Sequence, residues 1–289
     1  MMATRHIHWT AGLRLSFILH ARGPPPVMCV VRQHTSMATW RLTKPALRIA
    51  AILLVLYLAL VTVVFFCQRS MLYFPTHLAP STKLAPWLDG KRMIGYCREV
   101  PNARAVWLML HGNAGQASDR DYVLSRISNQ DSLYVLEYPG YGARDGHACL
   151  GSINQAAAEA YHVLRSQNPN ASVCVLGESL GSGPACSLAQ EKMPPDKIVL
   201  VVPFDNLASV ASEQFYFLPV RLLLHDAWNN VETLRHYNGP VDIFGATGDT
   251  IIPIAHAKSL AKQIPGAHFA AIAGGHNDWS WNDQVKIRR

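Results

Sequence analysis

Short apolar runs, each stopped by glycine, proline or aspartate, recur along most of this chain with helix-length stretches between them. The runs fall at residues 92–100, 105–110, 133–138, 173–176, 198–202, 241–246 and 267–272. Rich in Val, Ile, Leu and aromatics, they read as strands. Residues 122–128, 153–167, 180–192 and 254–263 read as helices. Strands alternating with helices predict an α/β fold, a mostly parallel sheet with helices on both faces.

In such a sheet, ligands gather beyond the carboxyl ends of the strands, so the residue that follows each run matters most. His111-Gly112-Asn113-Ala114-Gly115 follows the second run, and Pro139-Gly140-Tyr141-Gly142 the third. Gly177-Glu178-Ser179-Leu180-Gly181 closes the fourth. Thr247-Gly248-Asp249 and Ala273-Gly274-Gly275-His276 close the last two. Ser179, Asp249 and His276 are therefore expected on one edge of the sheet.

That trio fits nucleophilic catalysis. A serine hydroxyl is a weak nucleophile at neutral pH and needs a base, usually histidine, which in turn needs an acid to orient it. A Gly-x-Ser-x-Gly turn between strand and helix exposes the hydroxyl, and its glycines relieve clashes in so tight a bend. The Leu180 N–H, at the start of the next helix, offers an oxyanion donor, and the Asn113 N–H offers a second. Asp205, which follows the fifth run, is the rival acid. Asp242 lies at the wrong end of its strand, and Asp278 is too close to His276 in sequence. His111 reads as a loop-shaping residue. His225, His236 and His256 show no strand-end placement, and Glu178 is assigned no role.

One further run is different in kind. Residues 49–68 carry no charge, and 20 residues are enough to cross a bilayer as a helix. The rival is a cleaved signal peptide, but Phe65-Phe66-Cys67-Gln68 is a poor small-x-small cleavage site. A retained anchor is the better reading. Residues 1–48 hold seven Lys or Arg and no Asp or Glu, while the remaining 19 basic residues equal the 19 acidic ones. The net charge of +7 thus belongs to the tail, and bulk charge gives no hint of the basic face that nucleic-acid binding needs. The basic flank predicts a cytoplasmic N-terminus and an extracytoplasmic domain. Residues 1–36 are either a disordered tail or a stretch upstream of a start at Met37.

The expected organisation is a basic tail (1–48), a transmembrane anchor (49–68) and one catalytic domain (69–289). Residues 76–89, with Pro80 and Pro86, read as a linker. Six scattered cysteines show no zinc spacing. Cys174 and Cys186 read as buried thiols, and Cys97 and Cys149 could pair if the domain is exported. The 38 residues between Val202 and Val241 are rich in Phe and Leu. They suit an acyl group, or equally serve to pack this segment onto the sheet.

The stretches "LHGNAG", "YPGYG", "GESLGSG", "GATGDTIIP" and "GGHND" resemble the alpha/beta-hydrolase superfamily. They are most similar to its membrane-anchored serine-hydrolase branch, as is "QRSMLYFPT" just after the apolar run. The resemblance covers residues 69–283. It implies an alpha/beta-hydrolase fold with a short cap, Ser179 as nucleophile, His276 as base and Asp249 as acid. It also implies the N–H groups of Asn113 and Leu180 as oxyanion donors, with no metal or cofactor. Pro139 stands where that branch often carries Arg. The function expected is hydrolysis of acyl or lipid-like esters or thioesters. The alternatives are a peptidase of the same fold and an anchored binding module without catalysis.

Overall fold

The computed structural model describes residues 43–289. Most of the basic tail, and the alternative start at Met37, lie outside the described residues. The uncharged run forms part of a 29-residue helix, α1 (Lys44–Leu72), long and apolar enough to cross a membrane. The compact unit that holds the sheet spans Ile52–Arg289 and so includes most of the helix. The reason is a stripe at helical spacing: Val61, Val64, Phe65, Gln68 and Leu72 are half-buried while their neighbours are exposed.

Beyond α1 come β1 (Phe74–Pro75), β2 (Ala85–Asp89), β3 (Arg92–Arg98), β4 (Ala105–Leu110) and β5 (Ala114–Gly115). They are followed by β6 (Ser132–Leu136), β7 (Ser172–Glu178), β8 (Ile198–Val201), β9 (Val241–Ala246) and β10 (His268–Ile272). Eight of them form one sheet in the order β10-β9-β8-β7-β4-β6-β3-β2. The strands from β10 to β6 run parallel, and β3 is antiparallel to both β6 and β2. Every residue of β4 is buried, as expected of a central strand covered on both faces. β2 lies within the stretch read as a linker. Its Pro86 is tolerated because β2 is an edge strand with one side unpaired.

The helices are α2 (Leu150–Gln167), α3 (Ser182–Ser187), α4 (Leu207–Gln214), α5 (Val220–Leu223), α6 (Asn230–Leu234) and α7 (Ile254–Gln263). On one face of the sheet α2, α3 and α7 pack Ile153, Ala157, Cys186 and Leu260 against Val106, Leu108 and Val175. On the other, Val123, Trp279, Val285 and Ile287 cover Trp107, Met109 and Leu176. That second layer is made of 3-10 helix (Ala117–Ser125 and Asp278–Ser280) and the C-terminal segment. Cys174 and Cys186 are buried, and Cys97 and Cys149 are both free thiols. Helices α4, α5 and α6 occupy the gap between β8 and β9 and form the short cap.

Candidate active site

The turn after β7 explains its own sequence. Ser179 has φ +52, a left-handed conformation that costs a non-glycine residue about 1–3 kcal/mol and persists only where packing imposes it. The flanking glycines are required by close approach. A Cβ on Gly181 would run into the Leu110 carbonyl, and one on Gly177 would lie 2.7 Å from the Ala185 Cβ. The serine is thereby held at the tip of β7, where β4 ends alongside it.

Two neighbouring loops converge on it. Those after β9 and β10 are joined by the Thr247 N–H to Ile272 O (2.9 Å) and the Gly248 N–H to Gly274 O (2.8 Å). Asp249 turns one carboxylate oxygen inward, where Oδ1 accepts from the Ile251 and Ile252 N–H groups at 2.9 and 2.8 Å. The other, Oδ2, lies 2.6 Å from His276 Nδ1. On the far side of the imidazole, Nε2 lies 2.7 Å from Ser179 Oγ. With Nδ1–H donating to Asp249, Nε2 is the acceptor for the serine hydroxyl. All three residues expected on one sheet edge are thus brought into a single hydrogen-bonded line.

The rival acids are occupied elsewhere. Asp205 accepts from His256 Nδ1 at 2.7 Å, and Asp242 pairs with Lys197 at 2.6 Å. Asp278 accepts from the Gly275 N–H at 2.7 Å, closing its own turn.

The loop after β4 runs directly over the serine, for a Cβ on Gly112 would stand 3.6 Å from the Ser179 Cβ. His111 is fully buried and its pKa is pushed down to about 3, by burial first and then by the charge of Arg120. The neutral ring donates from Nδ1 to Gly112 O at 2.7 Å. A trans peptide points its N–H opposite its C=O, so pinning the Gly112 carbonyl also fixes the direction of the Asn113 N–H. Asn113 is held further by its own carbonyl, which accepts from the Phe74 N–H (2.9 Å) and the Tyr141 hydroxyl (2.7 Å). Leu180, the other residue expected to donate, is the second residue of the 3-10 turn Ser179–Gly181.

One residue at the site was given no role by its sequence context. Glu178 is buried and accepts from the Tyr122 hydroxyl at 2.9 Å, Trp279 Nε1 at 3.0 Å and the Gly112 N–H at 3.3 Å. Its carboxylate ties together the serine turn, the loop over it and the loop that carries His276. Burial, reinforced by the Glu178 charge, raises the Tyr122 pKa well above the phenol range, so its hydroxyl remains a donor.

No protein-family model matches the chain. It is 28% identical over 250 residues to an uncharacterized protein of Mycobacterium tuberculosis, covering 81% of this chain and 89% of that protein. It is 24% identical over 192 residues to the lysophosphatidylserine lipase ABHD12 of Macaca fascicularis, covering 60% of this chain but only 48% of that one. Among solved structures, the Pyrococcus furiosus esterase Pf2001 superposes with a TM-score of 0.55 at 12% identity, covering 73% of this chain and 94% of that one. Est1E from Butyrivibrio proteoclasticus superposes with a TM-score of 0.52 at 14% identity, covering 63% and 87%. Sheet order, serine turn and solved structures agree on one architecture: the chain has the alpha/beta-hydrolase fold.

Proposed function

We propose that this chain is a membrane-anchored serine hydrolase that cleaves acyl or lipid-like esters or thioesters through an acyl-enzyme. The observation that carries the reading is the line from Asp249 through His276 to Ser179, with hydrogen-bond distances of 2.6 and 2.7 Å. Ser179 Oγ attacks the substrate carbonyl as its proton passes to His276 Nε2. Asp249 holds the ring's tautomer and stabilises the imidazolium that forms. The oxyanion accepts hydrogen bonds from the N–H groups of Asn113 and Leu180. Collapse expels an alcohol or thiol, protonated by His276. Water, activated by the same ring, then releases the acid.

A lipid-like ester is favoured by the apolar helix beside the domain and by relatives that are lysophosphatidylserine lipases. The basic flank before the helix favours an extracytoplasmic domain. A fluorophosphonate probe tests the nucleophile. Wild-type protein is expected to label and the Ser179→Ala variant to lose both labelling and ester cleavage. Labelling that survives the substitution would falsify the assignment. A panel of acyl esters of rising chain length then defines the substrate, and protease added to intact cells tests the orientation.

A further inference from the structure

The cap carries an apolar surface that the reaction does not use. Between Glu213 and His225 the sequence reads Gln-Phe-Tyr-Phe-Leu-Pro-Val-Arg-Leu-Leu-Leu, with Arg221 its one charge. Tyr216 is 86% exposed and Leu222 85%, with Phe217 half-exposed beside them. These side chains neither pack the cap onto the sheet nor pair with polar groups.

The position of this surface along α1 is what identifies its partner. The Tyr57 hydroxyl donates to Phe217 O at 3.0 Å. Gln68 Nε2 donates to Leu223 O at 3.0 Å, and Gln68 Oε1 accepts from the His225 N–H at 2.8 Å. The cap segment therefore lies alongside the helix from Gln68 back to Tyr57. Eleven residues of helix rise about 16 Å, and the whole run 49–68 only about 30 Å, the thickness of a bilayer's hydrocarbon. A helix that spans the bilayer with residues 49–68 carries its Tyr57 contact to about the middle of the hydrocarbon. The cap residues bonded there go with it.

We propose that residues 215–224 of the cap insert into the lipid beside the anchor, so that the hydrolase domain is seated in the membrane and not merely tethered to it. The inference rests on the reading of residues 49–68 as a transmembrane anchor.

The chemistry of the segment suits hydrocarbon. Backbone groups in lipid must be paired internally, and here they largely are. The N–H groups of Phe215, Leu218, Val220, Leu222 and Leu224 donate within the cap at 2.8–2.9 Å. The carbonyls of Phe217 and Leu223 are taken by Tyr57 and Gln68, the polar side chains of the helix face that meets them. Arg221 is exposed on a long stem that can reach back to the headgroups. The patch also leads towards the site. Gln214 Nε2 donates to Ile251 O at 2.7 Å, and the half-exposed Ile251 follows Asp249 by two residues. The cap segment and the loop that carries Asp249 are therefore direct neighbours.

The full chain reconstituted in phosphatidylcholine vesicles that contain a phosphatidylcholine with an acyl-chain diazirine provides the test. After illumination, lipid adducts mapped by mass spectrometry are expected both on residues 49–68 and on residues 215–224. Adducts on the helix alone overturn the inserted cap and leave the anchor standing. Adducts on neither overturn the anchor itself. A cap segment free of lipid adducts that cross-links to a second copy in the same vesicles overturns insertion in favour of self-association. The double variant Tyr216→Glu, Leu222→Glu provides the functional arm, with fluorophosphonate labelling of Ser179 reporting folding. Its cleavage of an ester embedded in the vesicles is expected to fall by at least about tenfold, because carboxylates are costly in hydrocarbon. Cleavage of a short water-soluble ester should not change. Equal loss on both esters, or on neither, overturns the proposal.

Discussion

Two histidines in this chain hold an aspartate at Nδ1 at nearly the same distance, 2.6 Å for His276 with Asp249 and 2.7 Å for His256 with Asp205. Both rings are buried, with side-chain exposures of 8% and 5%. What separates them is the group on the other ring nitrogen. For His276 it is the Ser179 hydroxyl at 2.7 Å, and for His256 the Glu213 carboxylate at 3.2 Å. A hydroxyl can give up a proton to the ring, whereas a second carboxylate can only hold the ring charged. The hydrogen bond from its Nδ1–H to Asp205, helped by the charges of both acids, raises the His256 pKa above its usual value. Burial works to raise Asp205, but bonds from His256, Ser259 and the Asn206 N–H outweigh it and leave that carboxyl lowered. The second pair is an ion pair between the cap helix α4, the loop after β8 and helix α7. A His–Asp contact alone therefore does not mark a catalytic site.

The sharpest way to break this comparison is to remove each ring in turn. His276→Gln is expected to lower kcat by roughly a million-fold, as loss of a triad base does. His256→Gln, measured with the same ester, should stay within about tenfold. The acids come next. Asp249→Asn should cost about ten-thousand-fold in kcat, and Asp205→Asn less than about tenfold. The opposite ranking in two folded variants would move the acid to Asp205.

Stability separates the pairs more gently. A raised histidine pKa stabilises the fold fully below the unfolded value of about 6.5, and that contribution is lost as pH rises through the folded value. Thermal unfolding of wild type and His256→Gln should therefore differ most at mildly acidic pH, by about 1–3 kcal/mol for a charged hydrogen bond. The gap should narrow as pH rises. A gap that widens with pH would mean the ring is neutral in the folded protein. The smallest effect is expected at Trp279→Phe, which removes one donor from Glu178. It should cost about 1 kcal/mol of stability and lower kcat by less than about tenfold, with KM unchanged.

The sequence made the strand-end edge of this fold legible because each parallel strand is an unbroken apolar run stopped by a turn residue. β4, β9 and α7 fall at the expected bounds. The stretch 180–192 reads as one helix but is α3 flanked by 3-10 turns, since the tight serine turn and its glycines spoil regular α geometry there. Proline hid β2, for a sequence pattern cannot distinguish an edge strand from a linker. Ser179, Asp249 and His276 were legible because topology alone carries strand ends to one edge. Glu178 and His256 were not. Glu178 takes its meaning from Tyr122 and Trp279, 56 and 101 residues away, and His256 from carboxylates 43 and 51 residues away. Neither partner set leaves a local pattern.

The pairing of β1 with β5 has a consequence for how the proposed hydrolase would respond to proteolysis beside the helix. Phe74 and Thr76 donate to Asn113 O and Gly115 O at 2.9 and 3.0 Å, and Asn113 Nδ2 donates to Leu72 O at 2.8 Å. The last turn of the helix and the strand after it are thus a splint on the loop that carries the Asn113 N–H. A protease that clips the chain before Gln68 would part the domain from most of the helix with that splint intact, and on the proposed function the trimmed domain should still turn over ester. A clip between Leu72 and Thr76 would leave a domain whose Asn113 loop is slack. The position of the cut would then decide whether the trimmed domain keeps the proposed activity.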